Sequence, residues 1–172
     1  MGMPVDDNDI ITNSSFRNVA NSVLAGLPVV DVDVPAYGSA HLIVVSVRRA
    51  YSGIAHHVAS AIWGSKLGSQ APYIIVVDED VDVFNLGEVM HAVVMKCHPV
   101  RGVQPNSPGH ALWPFLNFHE RQWGQAAHLL LDCTWPVDWD PNIEIPAKIS
   151  FGTSYPQELQ NKVLSNWGKY GF

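Results

Sequence analysis

Four acidic side chains lie close together in the middle of the chain, at Asp78, Glu79, Asp80 and Asp82. The carboxylate oxygens of such a run could bind a hard cation such as calcium. The glycine and the terminal glutamate of a calcium-binding loop are missing, so the spacing favours a strand end that turns into a helix. Aspartate in that position stabilises the turn and the N-terminus of the helix that follows.

Histidines and cysteines are the other residue types that could bind a metal. A zinc site needs cysteines and histidines in tight pairs at ligand spacing, whereas Cys97 and His98 are directly adjacent and Cys133 and His119 are scattered. The spacing therefore argues against a zinc site. Two cysteines form no disulfide framework, so we expect Cys97 and Cys133 to be buried and reduced. The histidines are His41, His56, His57, His91, His98, His110, His119 and His128.

A glycine-flanked lysine could bind a phosphate group. Residues 64–68 read GSKLG, but the spacing is not that of a Walker loop. Two interpretations of Lys66 stay open: a point charge for a phosphate, or a cation that satisfies the carbonyl groups at a helix C-terminus. The spacing alone favours the second. No G-x-S-x-G turn is present, which argues against a serine hydrolase.

An aromatic cluster follows the longest polar segment of the chain. Residues 110–115 read HALWPF, and Phe118 and Trp123 follow. Pockets for flat ligands are built from such side chains. A loop that folds around its own small core would show the same composition, and the two interpretations are equally supported.

Hydrophobic spacing predicts the elements that position these residues. A first helix is predicted around Phe16, Val19, Ala20, Val23 and Leu24, with Asn13, Ser14 and Ser15 as possible N-caps. A second contains Ile54, Val58, Ala59, Ile62 and Trp63, has Lys66 in its last turn and ends at Gly68. A third begins with an Asn85–Glu88 capping box and carries Val89, Met90, Val93, Val94 and Cys97 on one face.

Strands and turns complete the pattern. Strands are predicted at residues 29–34, 42–47, 73–77 and 127–131, and a long loop at residues 98–109. A second capping box, from Ser154 to Gln157 with Pro156 in the first turn, begins a last helix that ends at Gly168. Alternating helices and strands predict an α/β fold, here a three-layer sandwich with a mixed sheet in a single domain.

Composition excludes several classes of protein. The 172 residues are 47% hydrophobic and 15% charged, which suits one folded domain rather than a disordered chain. The net charge of −6 argues against nucleic acid as a partner, which would need a basic surface. No signal peptide or membrane-spanning run is visible, so a cytoplasmic protein is expected.

Several segments resemble the UbiD family of decarboxylases. The run YIIVVDEDVDVF at residues 73–84 is similar to the strand and acidic turn of that family, and MKCHP at residues 95–99 is similar to the segment that follows, with Lys96 where arginine is usual. The final helix, with its SYP start and Trp167, resembles the ferulate-decarboxylase branch, and Asp132-Cys-Thr134 the dihydroxybenzoate branch. The resemblance divides the chain into a C-terminal α/β domain of the family at residues 1–150 and a helical extension at residues 151–172.

The resemblance implies a reversible decarboxylation of aromatic or heteroaromatic acids with prenylated FMN. It also implies that the acid–base groups, the Mn²⁺ and the K⁺ belong to an N-terminal flavin-binding domain, so that no catalytic residue is expected here. This chain would close the active site and contribute to a homodimer. The isolated chain is then expected to be inactive, and the alternative is an interaction module without catalytic function.

The resemblance also assigns roles to six residues. Lys66 matches the lysine that reaches the flavin phosphate, and this match favours the phosphate interpretation. The substrate pocket would be lined by Ser69 and Gln70 on the loop that follows, by His110 and Leu112 before the Pro114-Phe115 pair, and by Ile10. Phenylalanine is usual where His110 stands, so the resemblance implies a substrate with hydroxyl groups or a ring nitrogen.

Overall fold

The computed structural model describes residues 7–38, 40–110, 125–147 and 149–171. It divides into two compact units, with the boundary between Val137 and Asp138. The first unit contains all strands found in the described residues, and the described part of the second contains two short α-helices and the 3-10 helix Trp167–Tyr170. The predicted division at residues 150 and 151 stays a prediction.

The first unit is built on one mixed sheet. Its strands are β1 (Val29–Asp33), β2 (Leu42–Val47), β3 (Tyr73–Asp78), β4 (Val103–His110) and β5 (Gln125–Cys133), in the order β1-β2-β3-β5-β4. β2, β3 and β5 run parallel, and β1 and β4 are antiparallel strands at the two edges. The four predicted strands are confirmed.

β4 contradicts the predicted loop at residues 98–109. Its sequence, VQPNSPGH, contains two prolines and a glycine, which suggest a loop because proline cannot donate to a strand ladder. At the edge of a sheet only one side of the strand needs hydrogen bonds, so proline is tolerated there. The pairing of β4 with β5 also shifts register between Asn106 and Gly109.

The sheet is covered on both faces. Alternate residues of β2 point in opposite directions: Ile43, Val45 and Val47 join one apolar core and Val44 the other. Helices α1 (Asp7–Val23) and α2 (Ile54–Trp63) pack on the first core, and α3 (Leu86–Lys96) packs on the second. The predicted three-layer α/β sandwich is therefore confirmed.

The ends of the helices differ from the sequence-based expectations. α1 begins at Asp7, so the predicted caps Asn13 to Ser15 lie inside it. α2 ends at Trp63 and not at Gly68, and a separate 3-10 helix, Lys66–Ser69, follows it. The Asn85 cap of α3 is confirmed, because its side chain accepts hydrogen bonds from the N–H groups of Gly87 and Glu88. Glu88 does not complete the box, since its carboxylate accepts from the N–H of Asp82.

The packed face of α3 is narrower than its spacing suggests. Val89 and Ala92 are buried against the sheet. Met90 and Val94, which we expected on the same face, are exposed, with Val94 76% accessible. Together with Leu86 and Met95 they leave α3 with an apolar outer surface.

The second unit contains α4 (Phe151–Ser154) and α5 (Gln157–Ser165). The predicted box from Ser154 to Gln157 is wrong: Ser154 ends α4, and its hydroxyl accepts from the N–H of Ser150. Pro156 is the N-cap of α5, which has no side-chain cap and ends before Gly168, at Ser165. α5 has no buried residue, so its apolar side chains remain exposed within this unit. No helix in the described ranges is long and apolar enough to cross a membrane.

An ion pair links the end of β3 to the end of α3. The Lys96 ammonium group lies 3.0 Å from Asp78 Oδ2 and 2.8 Å from Asp80 Oδ1. The N–H of Trp135, after β5, donates to the same Asp78 oxygen at 3.1 Å. Asp78 Oδ1 is buried without a hydrogen-bond partner. Burial raises the pKa of Asp78, although Lys96 opposes this shift.

We predict that Lys96→Met destabilises the fold by about 3 kcal/mol at pH 7, because it leaves the Asp78 charge buried without its cation. A raised pKa means that the folded state binds the proton of Asp78 more tightly than the unfolded chain does. The cost of the buried Asp78 charge is therefore removed as the pH falls toward the ordinary pKa of an aspartate. The loss should therefore shrink at low pH in denaturant titrations. Lys169→Met, at an exposed lysine, is the control. A loss that stays constant with pH would contradict this account.

Candidate functional site

The elements that carry the predicted site residues come together at one edge of the sheet. The 3-10 helix Lys66–Ser69, here called the Lys66 turn, immediately precedes β3 and lies at the amino ends of the parallel strands. It contacts both α1 and β4. These three elements contain Lys66 and Ser69, Ile10 and His110, respectively. We call this region the amino edge.

Lys66 is exposed on the turn that bears its name. It does not satisfy the C-terminus of α2, because Ser65 does so: the Ser65 hydroxyl donates to the carbonyl of Ile62 at 2.7 Å and accepts from the N–H of Leu67 at 3.1 Å. Within the described part of the chain, Lys66 makes no ion pair or hydrogen bond through its ammonium group. This arrangement leaves the cation available to an anionic group outside the domain.

Gly68 lets the Lys66 turn pack directly on α2. A Cβ at this position would lie 2.1 Å from the carbonyl oxygen of Trp63 and 2.7 Å from its carbonyl carbon. Backbone atoms cannot move aside as a flexible side chain would, so only glycine fits. Leu67 is also buried in the first core. The residues that follow the exposed lysine are therefore packed against α2 and the first core.

The two loop residues assigned to the pocket follow directly. The Ser69 hydroxyl donates to the carbonyl of Lys66 at 3.1 Å, so it closes the turn. Gln70 is half-buried, and its N–H donates to the carbonyl of Leu67. The side-chain amide of Gln70 has no hydrogen-bond partner among the residues whose positions are described. Gln70 can therefore offer both a donor and an acceptor at this edge.

The other predicted pocket residues are only partly described. Ile10 lies in α1 and His110 is the last residue of β4, where it pairs with Gln125, but the side chains of Ile10 and His110 lie outside the described residues. Leu112 lies outside them entirely, as does the aromatic cluster after His110. The backbone thus brings two of these elements to the Lys66 turn, and their role in a pocket stays a prediction.

Two residues at the amino edge were not predicted as part of a site. The Trp63 ring stacks on the His128 ring, with centroids 4.9 Å apart and planes 26° from parallel. Trp63 Nε1 also donates to the carbonyl of Ala71 at 3.3 Å. The spacing of α2 placed Trp63 on the core face, and nothing in the sequence indicated that His128 would meet it.

The acidic run lies at the opposite end of the parallel strands. Asp78 and Asp80 bind Lys96, and Asp82 Oδ1 accepts from the N–H of Phe84, as in a turn before a helix. No group of three or more metal-binding side chains suitable for an ion occurs in the ranges that the structure describes. Within this run, Lys96 thus pairs with Asp78 and Asp80, and Arg48 lies 3.7 Å from Glu79.

The two thiols lie near the same carboxyl edge. Cys133 is fully buried and Cys97 half-buried, and neither forms a disulfide. Burial raises the pKa of both thiols. Because the thiolate is the nucleophile, the raised pKa disfavours the reactive form of both side chains. The predicted burial is complete only for Cys133, and the reduced state of both thiols stays a prediction.

Comparison with known proteins identifies the first unit. A family model described as the C-terminal domain of 3-octaprenyl-4-hydroxybenzoate carboxy-lyase matches residues 11–133. The pyrrole-2-carboxylic acid decarboxylase of Pseudomonas aeruginosa is 27% identical over 99% of this chain, which covers 37% of that enzyme. The chain thus spans only about a third of the length of this curated relative.

Solved structures share the fold. The closed form of vanillic acid decarboxylase from Sedimentibacter hydroxybenzoicus is 22% identical, with a TM-score of 0.77 over 98% of this chain and 35% of that one. The UbiD-class enzyme HmfF of Pelotomaculum thermopropionicum, solved with FMN, has a TM-score of 0.67 at 18% identity, over 87% of this chain and 32% of that one. An evolved dimeric form of HmfF, solved with prFMN, has a TM-score of 0.58 at 18% identity, over 87% of this chain and 29% of that one. With the family model matching well over half of its residues, the chain belongs to the UbiD family and contains its C-terminal domain.

Proposed function

We propose that the full-length protein is a prenylated-FMN-dependent, reversible decarboxylase of an aromatic or heteroaromatic acid, and that this chain is the domain that closes its active site. The family supports a carboxy-lyase. The names of the relatives support the substrate class, since they act on pyrrole-2-carboxylic and phenolic acids. The flavin in the HmfF structures supports the cofactor.

The observation that carries the proposal is the exposed Lys66 ammonium group on a turn that packs against α2. Lysine is a compact, strongly hydrated point charge that suits a phosphate group. Gly68 and Ser65 hold the turn against α2, so the turn can present the Lys66 charge although no described residue pairs with it. These residues fit the phosphate end of a flavin, and the bound flavin would supply the electron sink for loss of CO₂.

The remaining assignments concern the substrate. We infer that Ser69, Gln70, His110, Leu112 and Ile10 line the pocket beside the flavin. The side-chain amide of Gln70, which no described residue hydrogen-bonds, supports this, because it can hydrogen-bond a ring hydroxyl or ring nitrogen. A histidine at position 110 adds a second polar group. Both residues favour a substrate that carries such a group over a purely apolar ring.

The proposal also assigns partners. The flavin-binding N-terminal domain would supply the acid–base residues, the Mn²⁺ and the K⁺, and the full-length protein would be a cytoplasmic homodimer. The exposed apolar surface of α3, with Met90 and Val94, supports a partner on this side of the domain.

Lys66→Ala in the full-length protein should weaken flavin binding about ten- to a hundredfold, the value of one charge-assisted hydrogen bond. The loss would be seen as lower flavin absorbance after gel filtration and in a titration with FMN. Lys162→Ala, at an exposed lysine of α5, is the matched control. Equal flavin retention in the two variants would remove Lys66 from the site.

His110→Phe should retain the flavin and shift the preference toward acids without ring hydroxyl or ring nitrogen groups. The reason is that a buried polar group discriminates strongly against substrates that leave it unpaired. The ratio of kcat/KM for pyrrole-2-carboxylate and cinnamate measures the shift. His91→Phe, on the exposed face of α3, should leave that ratio unchanged. An unchanged ratio in His110→Phe would exclude His110 from the pocket.

The 172-residue chain alone should show no decarboxylation, even with prenylated FMN added, because its acid–base partners would be in the other domain. Release of CO₂ from a panel of aromatic acids, followed by gas chromatography, measures this. The full-length protein under the same conditions is the positive control. Turnover by the chain alone would contradict the assignment of the acid–base residues to the other domain. An inactive full-length protein would favour a non-catalytic interaction module.

A further inference from the structure

Trp63, the last residue of α2, contacts three parts of the amino edge. Its ring stacks on His128 of β5 at 4.9 Å. Its Nε1 donates to the carbonyl of Ala71, which follows Gln70 directly. Its own carbonyl oxygen lies against Gly68 in the Lys66 turn. One side chain and one carbonyl group thus touch the turn, the loop after it and a strand of the sheet.

Where Trp63 contacts β5, that strand has only one neighbouring strand in the described sheet. The pairing of β5 with β3 begins at Leu129, opposite Tyr73. Residues 125–128 of β5 pair only with residues 106–110 of β4 in the described sheet, and we call this two-stranded part the arm. Two strands on their own are marginally stable in water. His128 is the residue of β5 at the base of the arm, and it is only 4% exposed.

The arm and the turn carry different halves of the proposed site. His110 is the last residue of β4 in the arm, and Lys66, Ser69 and Gln70 lie on the turn and its exit. β4 and the Lys66 turn are in contact. The Trp63–His128 stack joins the base of the arm to the helix on which the turn packs. The stack can therefore set the distance between the arm and the Lys66 turn.

We propose that Trp63 and His128 are positioning residues that set the distance between the Lys66 cation and the pocket wall carried by the arm. The effect on catalysis rests on the proposed function. The support of the arm by the stack does not. Neither side chain is required to touch substrate or cofactor. Their effect is to hold the arm against α2, so that a flat ligand is enclosed between arm and turn.

Amide hydrogen exchange of the 172-residue chain tests the structural part. In Trp63→Leu, the amides of residues 106–110 (except Pro108, which has none) and 125–128 should exchange about five- to tenfold faster, the effect expected when one aromatic stack is lost from a locally opening segment. Amides of β2 and β3 should be unchanged. Trp167→Leu, in the second unit, is the matched control. Equal protection of the arm in wild type and Trp63→Leu, or an increase spread evenly over β2 and β3, would overturn the inference.

Two further variants separate the stack from general packing. Trp63→Phe keeps a ring against His128 but loses the N–H donor, so the arm should keep wild-type protection within about twofold. His128→Ala removes the stack from the other side and should reproduce the effect of Trp63→Leu. If Trp63→Leu does not fold, His128→Ala decides the question. If neither variant folds, both residues are needed for the core as a whole and the inference fails.

Kinetics of the full-length protein test the consequence for the site. Trp63→Leu should retain its flavin and raise KM about tenfold with little change in kcat, because ground-state and transition-state binding are lost together when the pocket wall loosens. Trp63→Phe should restore KM. A lower kcat at constant KM would overturn the positioning role. If the arm loosens as expected and the wild-type protein decarboxylates no aromatic acid, the proposed function fails and the structural inference stands.

Discussion

The rest of this domain depends on the burial of β2 and β3 between two apolar layers. Residues of β2 alternate between the core under α1 and α2 and the core under α3, and the same holds for β3. Each fully buried Val or Ile side chain contributes about 1.5–3 kcal/mol, so this layer fixes the strands firmly. Because both faces of the sheet are covered, polar side chains can act only at the two ends of the strands.

The two ends of the strands differ in charge and in access. Ligands of open α/β sheets usually bind at the carboxyl ends of the strands. Here that edge is closed by the domain's own cation, since Lys96 pairs with Asp78 and Asp80 and lies 5.7 Å from the centre of the Trp135 ring. The amino edge instead leaves Lys66 exposed, and the described residues offer its ammonium group no partner. The proposed site therefore lies at the amino edge, because Lys96 is already paired with carboxylates at the carboxyl edge.

The sequence predicted those parts that local patterns determine. The buried strands follow from continuous β-branched runs, and the Asn85 cap follows from a local hydrogen bond. β4 could not be predicted, because its prolines are permitted only by its position at the sheet edge, which is a tertiary property. The end of α2 was misplaced for a similar reason: Gly68 suggested a helix end, but its role is close contact with the Trp63 carbonyl. The Trp63–His128 stack joins residues far apart in the chain, so no local signal could reveal it.

The central claim is that this domain presents Lys66 to the phosphate of a flavin held by another domain. A crystal structure of the full-length protein with its flavin tests it most directly, through the distance from Lys66 Nζ to the nearest phosphate oxygen. The account predicts a charge-assisted hydrogen bond of about 2.7–3.0 Å, with the Trp63–His128 stack intact. A closed structure in which the phosphate is bound entirely by other residues, with Lys66 facing solvent, would contradict it.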